Sequence, residues 1–141
     1  MKTFNQCITE LFDKPEPFSY RRSHNGGYYY DADINGNHLV LFADNEKSVW
    51  YIDFEVNDNM EVTDSGGNEV AIFSTVIAML KHFVETASPE TVKFTADKTE
   101  KSRISLYDKM VKKFAAESGY SHKRTISMRS GKYSVYVLKK K

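Results

Sequence analysis

Cysteine, proline and histidine are scarce in this chain, and each shortage excludes something. With only Cys7 among 141 residues, no internal disulfide can form, which fits a reducing, cytoplasmic setting. His24, His38, His82 and His122 show no metal-ligand spacing, and the single thiol has no second thiol to share an ion, so no metal is implied. The N-terminal stretch MKTFNQCITELF lacks the basic region, apolar core and small-residue cleavage site of a secretory leader. No apolar run is read as reaching the roughly 18 residues that span a bilayer, so no membrane partner is expected.

What is abundant is aromatic. Nine Phe, nine Tyr and one Trp within a 40% hydrophobic composition argue for a folded core rather than a disordered tail. The length suits one domain, 1–141, with an N-terminal helix and lead-in over 1–26 and a core over 27–139. The net charge of +1 conceals a division: residues 1–91 hold 6 basic and 15 acidic side chains, and residues 92–141 hold 14 basic and 4 acidic. Ten carboxylates in 31–69 face only Lys47. Such polarity can steer a phosphate-bearing ligand to one side and a cationic one to the other, or merely solvate opposite faces.

Thr3 caps a predicted helix over 4–13, with Phe4, Ile8, Leu11 and Phe12 as its apolar stripe, and DKPEP ends it. GYYYDADI and NHLVLFAD flank Asn35-Gly36, the pair best suited to a tight hairpin. After the loop NEK, SVWYIDFEV alternates Trp50, Ile52, Phe54 and Val56 toward a core against Val49, Tyr51, Asp53 and Glu55 toward solvent or a cleft. A polar loop then leads to a largely buried helix over 69–86, stopped by Ser88-Pro89. TVKFTA is a short strand. Asp97 and Glu100 have the spacing of a capping box opening a helix that runs to Ser118, and HKRTISMR and KYSVYVLK close the chain as a hairpin about Ser130-Gly131. The order α-β-β-β-α-β-α-β-β predicts an α/β (α+β) fold with a single mixed sheet.

One cation is out of place. Arg103 lies in the first turn of the helix that contains KSRISLYDKMVKKFAAES, where it opposes the helix dipole at a cost of roughly 0.3–1 kcal/mol. Its fork of donors suits an incoming carboxylate or phosphate, or an internal partner such as Asp53 or Glu55. Tyr107, one turn on, is either a half-buried aromatic or a proton donor, since a phenol is protonated at neutral pH. Gly66 and Gly67 either permit a tight turn or let backbone N–H groups approach an anion at the following helix N-terminus. Asp53 and Glu55 are solvated strand carboxylates, or a base and amine-binding acids. YRRSHNGGYYY mixes arginine with tyrosine, as nucleic-acid surfaces do, though a Tyr-rich strand is the preferred reading.

From about residue 27 to 139 the element order resembles the GNAT fold of acetyl-CoA-dependent N-acetyltransferases. The matching stretches are DSGGNEVAIFSTV and the Leu106-Tyr107 and Gly119-Tyr120 pairs; an SR..LY helix also occurs in GNAT-like proteins of bacteriophages. The resemblance implies acetyl-CoA as co-substrate, with Gly66, Gly67, Asn68 and Arg103 holding it. It also implies Tyr107 as general acid toward the departing thiolate, and Glu55 as a base. The acceptor it implies is a primary amine, a lysine or small cationic amine, on a small molecule or protein. Departures are visible too: the glycines are adjacent, Asp64 precedes them, Glu100 stands where the family has Asn, and twelve residues rather than about four separate Tyr107 from Gly119. These keep open a GNAT-like phage accessory protein that has lost CoA binding and modulates a host protein in the host cytoplasm. A second alternative is nucleic-acid binding through the basic C-terminal third.

Overall fold

The computed structural model describes residues 15–56, 69–97, 101–126 and 133–141, with the side chains of 69, 95–97, 101–106, 125–126 and 133–134 left outside it. Seven strands form one sheet: β1 (Ser19–Arg22), β2 (Tyr28–Ile34), β3 (Asn37–Glu46), β4 (Val49–Val56), β5 (Thr91–Asp97), β6 (Tyr120–Ile126) and β7 (Tyr133–Lys140). Two helices are described, α1 (Glu69–Ala87) and α2 (Lys101–Ser118). The spatial order is β1-β2-β3-β4-β5-β7-β6, with β4 and β5 parallel and every other pair antiparallel. The predicted single mixed sheet is therefore present.

Period-two alternation builds the core. Tyr28, Tyr30, Ala32 and Ile34 of β2, Leu39, Leu41 and Ala43 of β3, and Ile52, Phe54 and Val56 of β4 all turn to one face and are buried. Both helices cover that face: Phe73 of α1 and Tyr107 of α2 pack on Phe54, with ring centroids 6.1 and 5.5 Å apart. Helix α1 buries Ile72, Phe73, Val76, Ile77, Met79, Leu80 and Phe83, more than a single stripe, because it packs on both the sheet and α2. Val70–Ala87 is in fact 18 residues long and apolar enough to count as a candidate membrane span, contrary to the expectation that no run reaches that length. Its apolar side chains are here spent on the core of the sheet.

Three sequence expectations are revised. The supposed lead-in contains an edge strand, β1, held by Arg21 over the Tyr29 ring and Arg22 over the Tyr28 ring at 4.4 and 4.3 Å. Four exposed residues have no apolar alternation to betray a strand. The loop expected at NEK is instead a two-residue turn, since Glu46 pairs with Val49 and Lys47 and Ser48 both take positive φ. Asp97 ends β5 opposite Tyr133, and the capping box expected of Asp97 and Glu100 lies outside the described residues. β6 starts at Tyr120, directly after Gly119 at φ +75°, two residues before the expected strand. The Asn35-Gly36 hairpin stands as expected, with φ of 49° and 85°. The helix over 4–13, Glu100 and the Ser130-Gly131 turn lie outside the described residues.

The two hairpin turns differ in strain. A left-handed conformation costs a non-glycine residue roughly 1–2 kcal/mol, which Lys47-Ser48 accepts twice and Asn35-Gly36 largely avoids. Replacing Lys47-Ser48 by Asn-Gly is expected to stabilise the fold by about 1 kcal/mol, read as a higher urea midpoint at unchanged slope.

Candidate active site at the parting of two strands

The parallel ladder between β4 and β5 runs from Val49↔Thr91 to Ile52↔Phe94 and goes no further. Beyond it β4 keeps its pairing to β3 as far as Val56, and β5 keeps its pairing to β7 as far as Asp97. Each strand follows a different neighbour, and the accumulated twist of the sheet pulls them apart. A fork opens between Asp53–Val56 on one side and 95–97 on the other.

Tyr107 sits where the strands part. Its ring lies 5.5 Å from Phe54 of β4 and 6.5 Å from Phe94 of β5, with Phe73 at 5.2 Å and Tyr136 at 6.5 Å. At 5% exposure it belongs to the core and also bridges both arms of the fork. The rotation of α2 that presents this ring is set by the next residue. Asp108 accepts hydrogen bonds from the Tyr136 hydroxyl at 2.7 Å and the Arg124 guanidinium at 3.0 Å, which ties α2 to β7 and β6. Burial and the Asp108 carboxylate hold the Tyr136 phenol well above its ordinary range. Asp108, Arg124 and Tyr136 were absent from the sequence-predicted set. Their only signal was an acid following the motif tyrosine, and its partners lie 16 and 28 residues away.

Both helices start at the fork's end of the sheet. α1 joins parallel neighbours β4 and β5, and α2 joins β5 to β6, which is parallel to β5 because both oppose β7. Each must therefore run back against its strands. Their C-terminal ends meet at the other side, where the Tyr120 hydroxyl donates to the Pro89 carbonyl at 2.5 Å. Two helix N-termini, each worth about half a positive charge, thus point to the end where the strands part.

Of the residues singled out from sequence, Tyr107 and Glu55 both belong to the fork but on opposite faces. Phe54 turns inward beside Tyr107, so Asp53 and Glu55 turn to the open face. Asp53 is exposed, yet crowding by its neighbours and then the Asp44 carboxylate raise its pKa above the ordinary carboxylate value. Arg103 falls in the first turn of α2, with its side chain outside the described residues. Gly66, Gly67 and Asn68 lie outside the described residues, immediately before α1. A cleft of 480 Å³ opens at the opposite end, with Lys81, Glu117, Tyr120 and Lys140 among its walls. Lys81 and Glu117 pair with each other there, with Lys113 at 3.8 Å. The fork is the candidate site because it joins a phenol, a break in the ladder and two helix N-termini.

No model of a known protein family matches this chain, and no curated protein sequence does. Among solved structures, a domain from Methanocaldococcus jannaschii DSM 2661 aligns with a TM-score of 0.50 at 10% identity, over 84% of this chain and 68% of that one. The spermidine N-acetyltransferase SpeG F149A mutant from Vibrio cholerae aligns at 0.46 and 10% identity, over 82% and 65%. AAC(6')-Ib in complex with ribostamycin and coenzyme A aligns at 0.46 and 12%, over 83% and 65%. This chain spans less than two thirds of the length of the last two. From β2 onward the observed element order β-β-β-α-β-α-β-β is the one expected of a GNAT-like fold, and likeness at such identity concerns fold alone.

A carboxyl whose pKa is raised by folding opposes folding once it ionises. Stability from Asp53 is thus present below its ordinary pKa of about 4 and lost as pH rises through the raised value. Asp53→Asn is expected to raise the melting temperature at neutral pH and to leave it unchanged below about pH 4, measured by thermal denaturation across that window.

Proposed function

We propose that the chain is an acetyl-CoA-dependent N-acetyltransferase acting on a primary amine. The observation that carries this reading is the fork with Tyr107 seated between its arms, at the end of the sheet to which two helix N-termini point. Those N-termini fit the diphosphate of acetyl-CoA. The residues assigned to it are Gly66, Gly67 and Asn68, which precede α1, and Arg103, in the first turn of α2. When bound, acetyl-CoA supplies an acetyl group already activated as a thioester.

The chain's own residues then have three tasks. Glu55, on the open face of β4, accepts a proton from the attacking amine. Backbone N–H groups on the freed edge of β4 after Ile52 are the nearest preorganised donors for charge developing on the acetyl oxygen. Tyr107 gives its phenolic proton to the sulfur as the C–N bond forms and the C–S bond breaks. The ten carboxylates of residues 31–69 favour an acceptor that is otherwise cationic, a lysine side chain or a small amine.

Titration with acetyl-CoA in a thermal-shift or calorimetric experiment tests the first step. A hundredfold excess over Kd is expected to stabilise the fold by about 2.7 kcal/mol. Absence of binding at millimolar CoA removes the enzyme reading and leaves a GNAT-like module that binds a host protein. If turnover is found, Tyr107→Phe is expected to lower kcat by about 10²–10⁴-fold with the fold retained; full activity in that variant takes Tyr107 out of the chemistry.

A further inference from the structure

One face of the sheet carries both helices. The other carries no helix among the described residues, and its side chains follow from the register. On β2, β3 and β4 it presents Tyr29, Asp31, Asp33, Val40, Phe42, Asp44, Tyr51, Asp53 and Glu55; on β5, β7 and β6 it presents Lys93, Val137, Lys139 and Lys123. The charge division of the sequence is therefore a division across one surface, acidic on β2 to β4 and basic on β5, β7 and β6, with Arg21 of the edge strand β1 over the Tyr29 ring at the acidic margin. In a single row of register partners the order is Lys123, Val137, Lys93, Tyr51, Asp44. Tyr51, at the seam, is 41% exposed. Among the described residues, Asp44, Asp53, Lys93, Lys123 and Lys139 enter no ion pair within the chain.

We propose that this face is the interface of a homodimer, in which a twofold axis parallel to the strands and lying between β4 and β5 sets the acidic half of one copy on the basic half of the other. A twofold contact requires a patch that complements itself. A face of one sign fails that test, and this one passes it because the two signs lie on opposite sides of the seam. Rotation about the seam brings β4 over the partner's β5 and β3 over the partner's β7. Tyr51 then meets the partner's Lys93, a cation over an aromatic ring, and Asp53 comes within a lysine's reach of the same ammonium. Asp44 falls beside the partner's Val137 and Lys139. The arrangement also places a cation next to the Asp44–Asp53 pair, whose mutual repulsion the single chain leaves in place.

Size agrees. Strands β2 to β6 span five spacings of about 4.8 Å, and strands of seven or more residues at about 3.3 Å each run roughly 25 Å. The projected face is roughly 600 Å² before side-chain relief, comparable with the ~800 Å² per partner of a standard interface. Two twisted sheets packed face to face cross at about 30°, so the contact is closest along the seam and opens toward the corners. The dimer does not depend on the acetyl-transfer reading.

Sedimentation velocity of the full chain over a range of ionic strength tests this. The expected result is a dimer at low salt whose fraction falls as salt screens the contacts. Asp44→Lys with Asp53→Lys sets cations opposite the partner's Lys93 and Lys139, and Lys93→Glu with Lys139→Glu sets carboxylates opposite the partner's Asp44 and Asp53. Each double variant is expected to weaken its own homodimer by about a hundredfold, because like charges are then opposed. An equimolar mixture of the two is expected to recover the dimer as a heterodimer. A monomer under all conditions overturns the proposal, as does a dimer that both double variants retain or a mixture that stays monomeric.

Discussion

The pairing of β4 with β5 is the constraint on which the remainder depends. It is the one parallel contact among the described strands, between a four-strand antiparallel ribbon and a three-strand one, and it lasts four residues on each side. A parallel pair needs a crossover, so α1 must pass over the sheet, and a right-twisted sheet places that helix on one face. The same brevity leaves β4 and β5 free to follow different neighbours. Fold and fork thus have one cause.

Around that seam the core is aromatic to a degree that decides its geometry. Phe54, Phe73, Phe94, Tyr107 and Tyr136 meet with ring centroids 5.1–6.5 Å apart, in the tilted, edge-on and offset arrangements that ring quadrupoles favour. A second aromatic group, Phe18, Tyr20 and Tyr30 around His82, holds the edge strand to α1, with the Tyr30 hydroxyl 2.8 Å from the imidazole. Stiff rings leave a helix little freedom to rotate. Asp108 removes what is left, and Tyr107 is thereby oriented by contacts with four elements.

Electrostatics act on the other face and at the sheet's end. Buried tyrosines are neutral, and the phenols of Tyr30, Tyr120 and Tyr136 are held above their ordinary range chiefly by burial. On that side formal charge is held in ion pairs, Asp108 with Arg124 and Lys81 with Glu117, while most of the sheet's own charged side chains lie on the open face, so one sequence carries an aromatic layer and a charged one separated by the thickness of a β-strand.

Element type and facing were legible in the chain because they depend on period alone. Alternation in 49–56 assigned Ile52, Phe54 and Val56 to the core, helical spacing in 69–86 assigned Phe73 and Phe83, and Asn35-Gly36 announced its turn. Strand β1 was not legible, since exposed edge residues have no apolar period and its anchors are cation–ring contacts with β2. Nor was the turn at Lys47-Ser48, whose residue types do not favour the backbone they adopt; the register of β3 on β4 imposes it. Asp108, Arg124 and Tyr136 form one cluster only after α2, β6 and β7 are assembled. The division of charge between the two parts of the chain was plain in the sequence. Its meeting on a single face was decided by the strand order, because only pairing in three dimensions places Asp44 and Lys93 in the same row.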